Sequence, residues 1–396
     1  MKKPKVYIIG GGAASLFTAY FLSPECSITI FEKEKSIGQK FLVAGKGGFN
    51  ITNTLTRLEL AKKYTPFEFM KNSILNFDSN KTKELFNKLG IEIFVGTSGR
   101  VFVSKNLKPA KVLTKIKNVL KNQTVEVLTR SKFVGFDENK DLLIENNSKI
   151  STHNADYYIF ALGGASWSVT GSDGKWRNSF EEIGIKTLPF EASNCGVNVK
   201  WKNNILHHYL GKPLKNIAIR SGNKVEKGEI VITEYGLEGT SIYPLVPKIR
   251  GQLKKGKAQI SIDLKPNNSK ESLLKKLKSK SVSSEVYKKE LNVSNLEMAL
   301  LKNYTSKDIF LDKAKFVEKI KSLQIEIISL RPIEEAISTV GGIATEELNN
   351  DFSLKKYPKI FTIGEMVNWD APTGGFLLQG CFSMAATVAK SILKKF

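Results

Sequence analysis

Two hydrophobic rhythms run along this chain. Continuous apolar runs dominate its two ends. KVYII at 5–9, SITIF at 27–31 and the YYIF part of 157–164 read as strands buried on both faces. Between the first two runs, residues 13–22 have helical periodicity. Residues 5–31 therefore read as a βαβ unit, which implies a parallel sheet. Further helices are expected over 56–64, 67–76, 80–89 and 107–121, the last with Pro109 in its first turn. Residues 36–54 read as a long loop punctuated by glycine, and 125–150 as a β-meander.

The middle of the chain has a different rhythm. From 190 to 263 come short strands: CGVNVKW, IAIRSG, EIVITEYG and AQISIDL. Their spacing predicts an antiparallel β unit. Residues 269–321 switch to helical periodicity in ESLLKKLKSK, NLEMALLKNY and AKFVEKIKSL. LQIEIISL at 323–330 returns to strand, and STVGGI at 338–343 resumes the style of the ends. No internal repeat or low-complexity linker interrupts the chain. The simplest reading is one α/β domain carrying an insertion.

Composition narrows the function classes. The 396 residues are 41% hydrophobic and 25% charged, as in a globular chain of two or three domains. No apolar run reads as long enough to span a bilayer. The start, MKKPKVYIIGGG, resembles a signal peptide only superficially, because three glycines break the apolar run. A cytoplasmic location is the expectation. Cys26, Cys195 and Cys381 are isolated and form no CxxC, which argues against a redox-active disulfide. The three histidines have no metal-ligand spacing, so no metal site is expected. Net charge is +23, yet only seven of the 61 basic residues are arginine. Base readout and bidentate phosphate contacts favour arginine. The lysines read first as a solvated surface, with nucleic-acid binding the alternative.

Four segments carry chemistry. Gly10-x-Gly12-x-x-Ser15 follows a strand and opens a helix. Gly10 permits the tight turn, and Gly12 lets the backbone approach a pyrophosphate at the helix N-terminus. Ser15 stands where a third Gly or Ala is usual. Glu32 lies twenty residues past Gly12, where a carboxylate accepts ribose hydroxyls. It would also repel a 2′-phosphate. Ala13, Ala14 and Lys33 adjoin these positions. The second segment, GQKFLVAGKGGFNITN at 38–53, combines Lys40, Lys46 and Gly47 with Asn50, Thr52 and Asn53. Its glycines expose backbone amides to an anion that the lysines neutralise. The third is FALGGASW, with Gly163 and Gly164 after a buried strand, and Val134 can flank an adenine through its backbone. The fourth is Gly364-Glu365 followed by APTGGFLLQG at 371–380. Gly374 and Gly375 open the last helix, with Phe376 and Leu377 in its first turn. Those amides can stabilise negative charge on a flavin edge. The two ends echo one another as strand, glycine turn and small-residue helix. Together they suggest one FAD site built from both ends of the chain.

These segments resemble a bacterial flavoprotein family that includes BaiN-type reductases and aminoacetone-oxidase-like proteins. The family reads GGGAAG, GxKxxxSGGGRCNxTN, ATGG and GExxDxxGxTGGYNLQ. This chain reads GGGAAS, GQKFLVAGKGGFNITN, ALGG and GEMVNWDAPTGGFLLQ. GEIVITEYGLEGTSIYPL resembles the family's GELLFTHxGxSGP, and STVGGI its TxGGV. The likeness covers almost the whole chain and is strongest to a less characterised branch. It implies a discontinuous Rossmann-like FAD-binding domain at 1–189 and 338–396. The insertion at 190–337 would hold a β-barrel (190–264 and 322–337) and a helical unit (265–321). It also implies tightly bound FAD. Lys46-Gly47-Gly48-Phe49 replaces Gly-Gly-Arg-Cys, and Glu234 replaces a histidine.

The expected activity is FAD-dependent oxidation or reduction of a small organic substrate. NAD(P)H would be a transient donor, because only one dinucleotide fingerprint is complete. The substrate is expected between insertion and FAD domain. Glu234 and Tyr235 are the candidate proton carriers there, against a plainer reading as a turn carboxylate and a packed ring. Asp370 reads equally as a turn residue. A flavin-dependent RNA-modifying protein and a non-catalytic flavin-binding protein are the alternatives. Oligomeric state stays open.

Overall fold

A computed structural model describes residues 3–43, 48–202 and 204–396. Lys46 and Gly47, two of the expected anion-binding residues, lie outside them. The chain forms two compact units, one running to Glu191 and resuming at Ile337–Phe396, the other Ala192–Ala336.

The first unit is built on a five-stranded parallel sheet. Its order is Ile360–Thr362, Tyr157–Phe160, Lys5–Ile9, Ser27–Phe31 and Glu126–Leu128. Lys5–Ile9 sits in the middle, paired with Ser27–Phe31 on one side and Tyr157–Phe160 on the other. Val6, Ile8 and Ile9 are buried, which is why the run is apolar without alternation. The chain crosses from one side of this strand to the other. That reversal opens a crevice beyond the strand's carboxyl end, the usual place for a nucleotide in such sheets. Helix Ala13–Leu22 starts at that end. It packs on the last helix, Phe376–Leu393, where the rings of Phe17 and Phe382 lie 4.5 Å apart.

The structure corrects several expectations. Segment 36–54 is not one loop: it contains helix Gln39–Val43 and strand Asn50–Asn53. The expected meander begins later. Glu126–Leu128 joins the parallel sheet beside Ser27–Phe31, and only Ser131–Phe136, Leu142–Asn146 and Lys149–His153 form the antiparallel set. Arg130, with φ of 54°, turns the chain between them. The helix expected at 56–64 is Arg57–Ala61, fixed at its start by a Thr56–Glu59 capping box. Phe376–Leu393 is long and apolar enough to cross a membrane, contrary to the sequence reading. Its apolar side is spent inside the unit instead, with Phe382, Met384, Ala385, Val388 and Ile392 fully covered or nearly so.

The second unit holds a seven-stranded antiparallel sheet. Its two edge strands, Leu323–Ile327 and Ser329–Leu330, are consecutive in the chain and separated only by Ile328. One pairs with Ala258–Asp263 and the other with Val197–Asn198, so the sheet closes on itself through that single run. Helices Lys270–Leu277, Ser284–Leu291, Asn295–Tyr304, Lys307–Leu311 and Lys313–Lys321 follow the strand that ends at Asp263. Tyr287 and Phe316 stack at 4.1 Å in their core.

One buried polar cluster ties the two chain ends of the first unit. The Gln379 carbonyl accepts from the hydroxyls of Thr52 at 2.6 Å and Thr82 at 2.8 Å. Its amide nitrogen donates to the Phe77 carbonyl at 2.8 Å and to Ser383 at 3.0 Å. Gln379, Thr52 and Thr82 are fully buried. Gln379→Leu strands both threonine hydroxyls without an acceptor, at about 1–3 kcal/mol each. The expected result is a lower urea midpoint for the purified variant. A midpoint matching the parent would show that the cluster contributes no net stability.

Candidate functional site

The site starts from the turn after Lys5–Ile9. Gly10 has φ of +100°, and a Cβ there would lie 2.5 Å from the Ala161 carbonyl oxygen. Glycine is required because the neighbouring strand end is in the way. Gly11 is crowded by Ile37 and by the Glu32 carboxylate. Gly12 differs from both. A Cβ on Gly12 would meet no protein atom within 4 Å. Gly12 is also the N-cap of helix Ala13–Leu22, and no side chain caps it. Ala13 and Ala14 form the first turn, so their amides have no intrahelical acceptor. Ser15 is fully buried, and its hydroxyl has no partner among the described residues.

Glu32 organises this turn. One carboxylate oxygen accepts from the Gly11 amide at 2.6 Å, the other from the Glu34 amide at 2.8 Å. Burial raises its pKa above the usual carboxylate range, while the two amides oppose that shift. Each oxygen keeps a second lone pair for a ribose hydroxyl. Lys33 pairs with Asp173 at 2.8 Å.

A cavity of 350 Å³ opens at this end of the sheet. Gly10, Gly12, Glu32, Lys33, Lys40, Val134 and Gly163 all line it. This volume is within the range of ligand pockets. The sequence reading missed one wall, formed by Thr170–Asp173, Lys175, Trp176 and Ser179. That wall follows Trp167, whose φ of 59° is left-handed, and contains Gly171 at +94°. Only its Gly and Asp content marked it as a turn, and it has no period to mark it as a wall.

Lys40 links the cavity to the C-terminal segment. Its ammonium donates to Glu365 at 2.7 Å and to Ser166 at 3.1 Å. Lys40 and Glu365 are 325 residues apart in the chain. Gly364, with φ of +75°, sits against Ala14, since a Cβ there would lie 3.3 Å from the alanine methyl. The first helix and the C-terminal turn therefore meet.

Three other glycines of the motifs lie close to protein atoms. A Cβ on Gly164 would lie 2.0 Å from the Thr339 hydroxyl oxygen. One on Gly375 would lie 2.5 Å from the Thr52 amide nitrogen and 2.7 Å from the Asn50 side-chain oxygen. That oxygen is buried and has no hydrogen-bond partner among the described residues. Gly374 lies near the Arg100 side chain. Gly375 is the uncapped N-cap of helix Phe376–Leu393. The Phe376 carbonyl accepts from the Tyr64 hydroxyl at 2.6 Å, and Leu377 lies partly buried beside it. These residues form a second uncapped helix start against Asn50–Thr52. None of them lines the cavity. Asp370 pairs in a bridge with Thr65.

Glu234 and Tyr235 belong to the second unit, in the turn between strands Lys224–Ile232 and Gly236–Glu238. Glu234 is exposed. Tyr235 is held firmly. Its hydroxyl donates to the Glu238 carboxylate in a short hydrogen bond, and the Arg331 guanidinium lies 4.1 Å over its ring. Arg331 in turn pairs with Glu335 and donates to Asn198 at 3.1 Å. Burial, then the carboxylate of Glu238, push the phenol pKa above its usual range.

Among the described residues, no group of three or more His, Cys, Asp or Glu side chains is placed to hold a metal. The three cysteines are buried. Burial, then the nearby Glu365 carboxylate, push the Cys381 thiol pKa up, which suits a packing role better than a reactive one.

Known proteins resemble this chain over all or nearly all of its length. A 3-dehydro-bile acid delta(4,6)-reductase from Clostridium scindens is 23% identical over 398 residues, 95% of each chain. A ribosomal RNA dihydrouridine synthase from Haemophilus influenzae is 23% identical over 403 residues, 98% of each. Among solved structures, a 3-ketosteroid delta1-dehydrogenase from Sterolibacterium denitrificans aligns over 100% of both chains with a TM-score of 0.56 at 11% identity. A flavocytochrome c3 fumarate reductase aligns over 99% of this chain and 78% of its own, with a TM-score of 0.53 at 12% identity. The fold is a Rossmann-like FAD-binding fold, and with a match over residues 4–391 the chain belongs to the HI0933-like protein Rossmann domain family.

Proposed function

We propose that this protein is an FAD-dependent reductase of a carbon–carbon double bond conjugated to a carbonyl, in a small organic substrate, with NAD(P)H as donor. The observation that carries the FAD reading is the uncapped start of helix Ala13–Leu22 at Gly12. It opens beside a 350 Å³ cavity lined by Glu32 and Lys40. Amides there suit a pyrophosphate, with Lys40 held at the cavity edge by Glu365, and Glu32 suits a ribose. Val134 and Lys33 border the adenosine end. The second uncapped helix start, at Gly375, suits an anionic flavin edge, with Asn50 and Thr52 beside it. FAD, when bound, supplies hydride transfer.

The substrate class is supported by the relatives' names. One is named for reducing Δ4,6 bonds of a 3-dehydro bile acid, others for making dihydrouridine. Both names describe saturation of a ring double bond beside a carbonyl. Such a reduction adds a hydride to one carbon and a proton to the next. Tyr235 is the proton donor in this reading. Its phenol carries a proton at neutral pH, and Glu238 and Arg331 fix its position. Glu234 is an acid on an exposed turn and has no comparable support.

A second reading has one specific observation behind it. The protein carries +23, and the Ala192–Ala336 unit holds 27 Lys and Arg against 15 Asp and Glu, or +12. Two relatives are named as ribosomal RNA dihydrouridine synthases. A uracil in RNA, also an enone-like ring, is then the substrate.

Three measurements test these readings. The purified protein is expected to show oxidised-flavin absorbance that bleaches on anaerobic addition of NADH or NADPH, and to reoxidise with 2-cyclohexenone or a 4-en-3-one steroid. Bleaching by neither nucleotide removes NAD(P)H as the donor. Gly12→Ala is expected to fold normally, because φ is −82° and the added methyl meets no protein atom. Its FAD Kd should rise about tenfold or more, equal to about 1.4 kcal/mol. Unchanged FAD affinity would place the pyrophosphate elsewhere. Tyr235→Phe should lower substrate turnover by about 10²-fold or more while flavin reduction by the donor stays normal. Equal turnover in the variant would remove Tyr235 as the acid.

A further inference from the structure

We propose that the outer face of the sheet in the Ala192–Ala336 unit is an RNA-binding groove. The proposal rests on the RNA reading above and names the surface that reading needs. Three strands build it: Pro213–Ser221, Ala258–Asp263 and Leu323–Ile327. Their alternate residues Ile217, Ile219, Ile260, Ile262, Leu323 and Ile325 are buried in the unit's core. The residues between them face the other way and line a 720 Å³ groove, larger than the nucleotide cavity of the first unit.

The lining differs from an ordinary solvated sheet face in three respects. Its floor is small: Ala218, Ser261 and Gly222 let a ligand approach the backbone. Across it the register sets Arg220 opposite Ser261 and Ser261 opposite Gln324. Its polar groups are ordered in advance. Ser261 and Ser322 hydroxyls lie 2.9 Å apart, Gln324 donates to Ser322 at 2.8 Å, and the Gln252 carbonyl accepts from the Gln259 amide at 2.9 Å. That leaves the Gln324 carbonyl and the Gln259 side-chain amide for base edges, which present both donors and acceptors. The residues lining it are net positive, three cations to one carboxylate, with Glu326 on the same face opposite Gln259 but outside the lining. The carboxylate of Asp263 is neutralised by Lys321 at 2.7 Å. Arg220 and Lys257 are exposed and form no ion pair among the described residues. Two uncompensated cations over a floor of ordered amides and hydroxyls match a phosphodiester chain with its bases turned inward. Arg220 is one of only seven arginines in the chain.

The test uses the full-length FAD-loaded protein and a fluorescein-labelled, uridine-containing RNA of about 16 nucleotides. Binding is followed by anisotropy between about 50 and 200 mM salt. The groove variant is Arg220→Gln with Lys257→Gln, and the control, Lys276→Gln with Lys278→Gln, removes the same charge from exposed sites at the end of helix Lys270–Leu277. FAD content and donor-driven flavin bleaching should be unchanged in both. The groove variant is expected to bind at least tenfold more weakly, with its log–log salt slope shallower by about 1.4, the loss of two contacts on a single strand. The control should bind like the parent. A groove variant that binds like the parent, or a control that loses as much, overturns the groove and leaves the RNA reading standing. A parent protein that binds no RNA at low salt overturns the RNA reading and the groove together.

Discussion

The first unit depends on one bare helix start. The opening amides of helix Ala13–Leu22 lack any capping side chain, and the residue before them is a glycine facing open space. An uncapped helix N-terminus leaves partial positive charge without an acceptor. The surrounding residues keep it that way. Glu32 takes the Gly11 amide for itself at 2.6 Å, holding the turn so that the next amides stay free. Ile37 packs against the other side of Gly11. A protein side chain in this position would give the fold a better-satisfied helix and lose the ligand. The local energetics therefore favour a bound anion.

That constraint separates glycines that look alike in sequence. Gly10, Gly164 and Gly375 are each required because protein atoms stand where a Cβ would be. Gly12 is the member of the set that protein contacts do not explain. Gly163 lines the cavity while its neighbour Gly164 packs on Thr339. The pairing of Lys40 with Glu365 performs a similar service over a longer range. It brings a cation from the N-terminal part and an anion from the C-terminal part to one edge of the cavity, with both side chains partly shielded from water. An ion pair so placed fixes the lysine where an exposed pair would contribute little.

Much of this was legible in the sequence, because the parallel strands are buried on both faces and read as unbroken apolar runs. Lys5–Ile9 and Ser27–Phe31 are found where 5–9 and 27–31 were expected. Glu126–Leu128 was misassigned for a physical reason. Three residues of apolar and polar mixture do not say whether their partner is the next strand in the chain or one a hundred residues earlier. The wall at Thr170–Asp173 was invisible because irregular backbone has no period. Lys40 and Glu365 were each picked out by motif, yet local pattern does not report a contact across 325 residues. The same limit hid Arg331, whose place over Tyr235 follows from closure of the sheet.

That last contact bears on how a proton would be supplied. The family resemblance sets a histidine where this chain has Glu234, which invites the glutamate as its substitute. Rigidity favours the neighbour in the proposed role. A proton donor must hold one geometry while the substrate arrives, and an exposed carboxylate on a turn samples many. Tyr235 is constrained from two directions, by the short hydrogen bond to Glu238 and by the guanidinium of Arg331, itself anchored by Glu335 and Asn198. Burial and the Glu238 carboxylate both favour the neutral phenol. In the proposed reaction the proton would stay on Tyr235 until a stronger base, such as the carbon adjacent to a carbonyl after hydride addition, takes it, and Glu238 would be placed to relay a replacement.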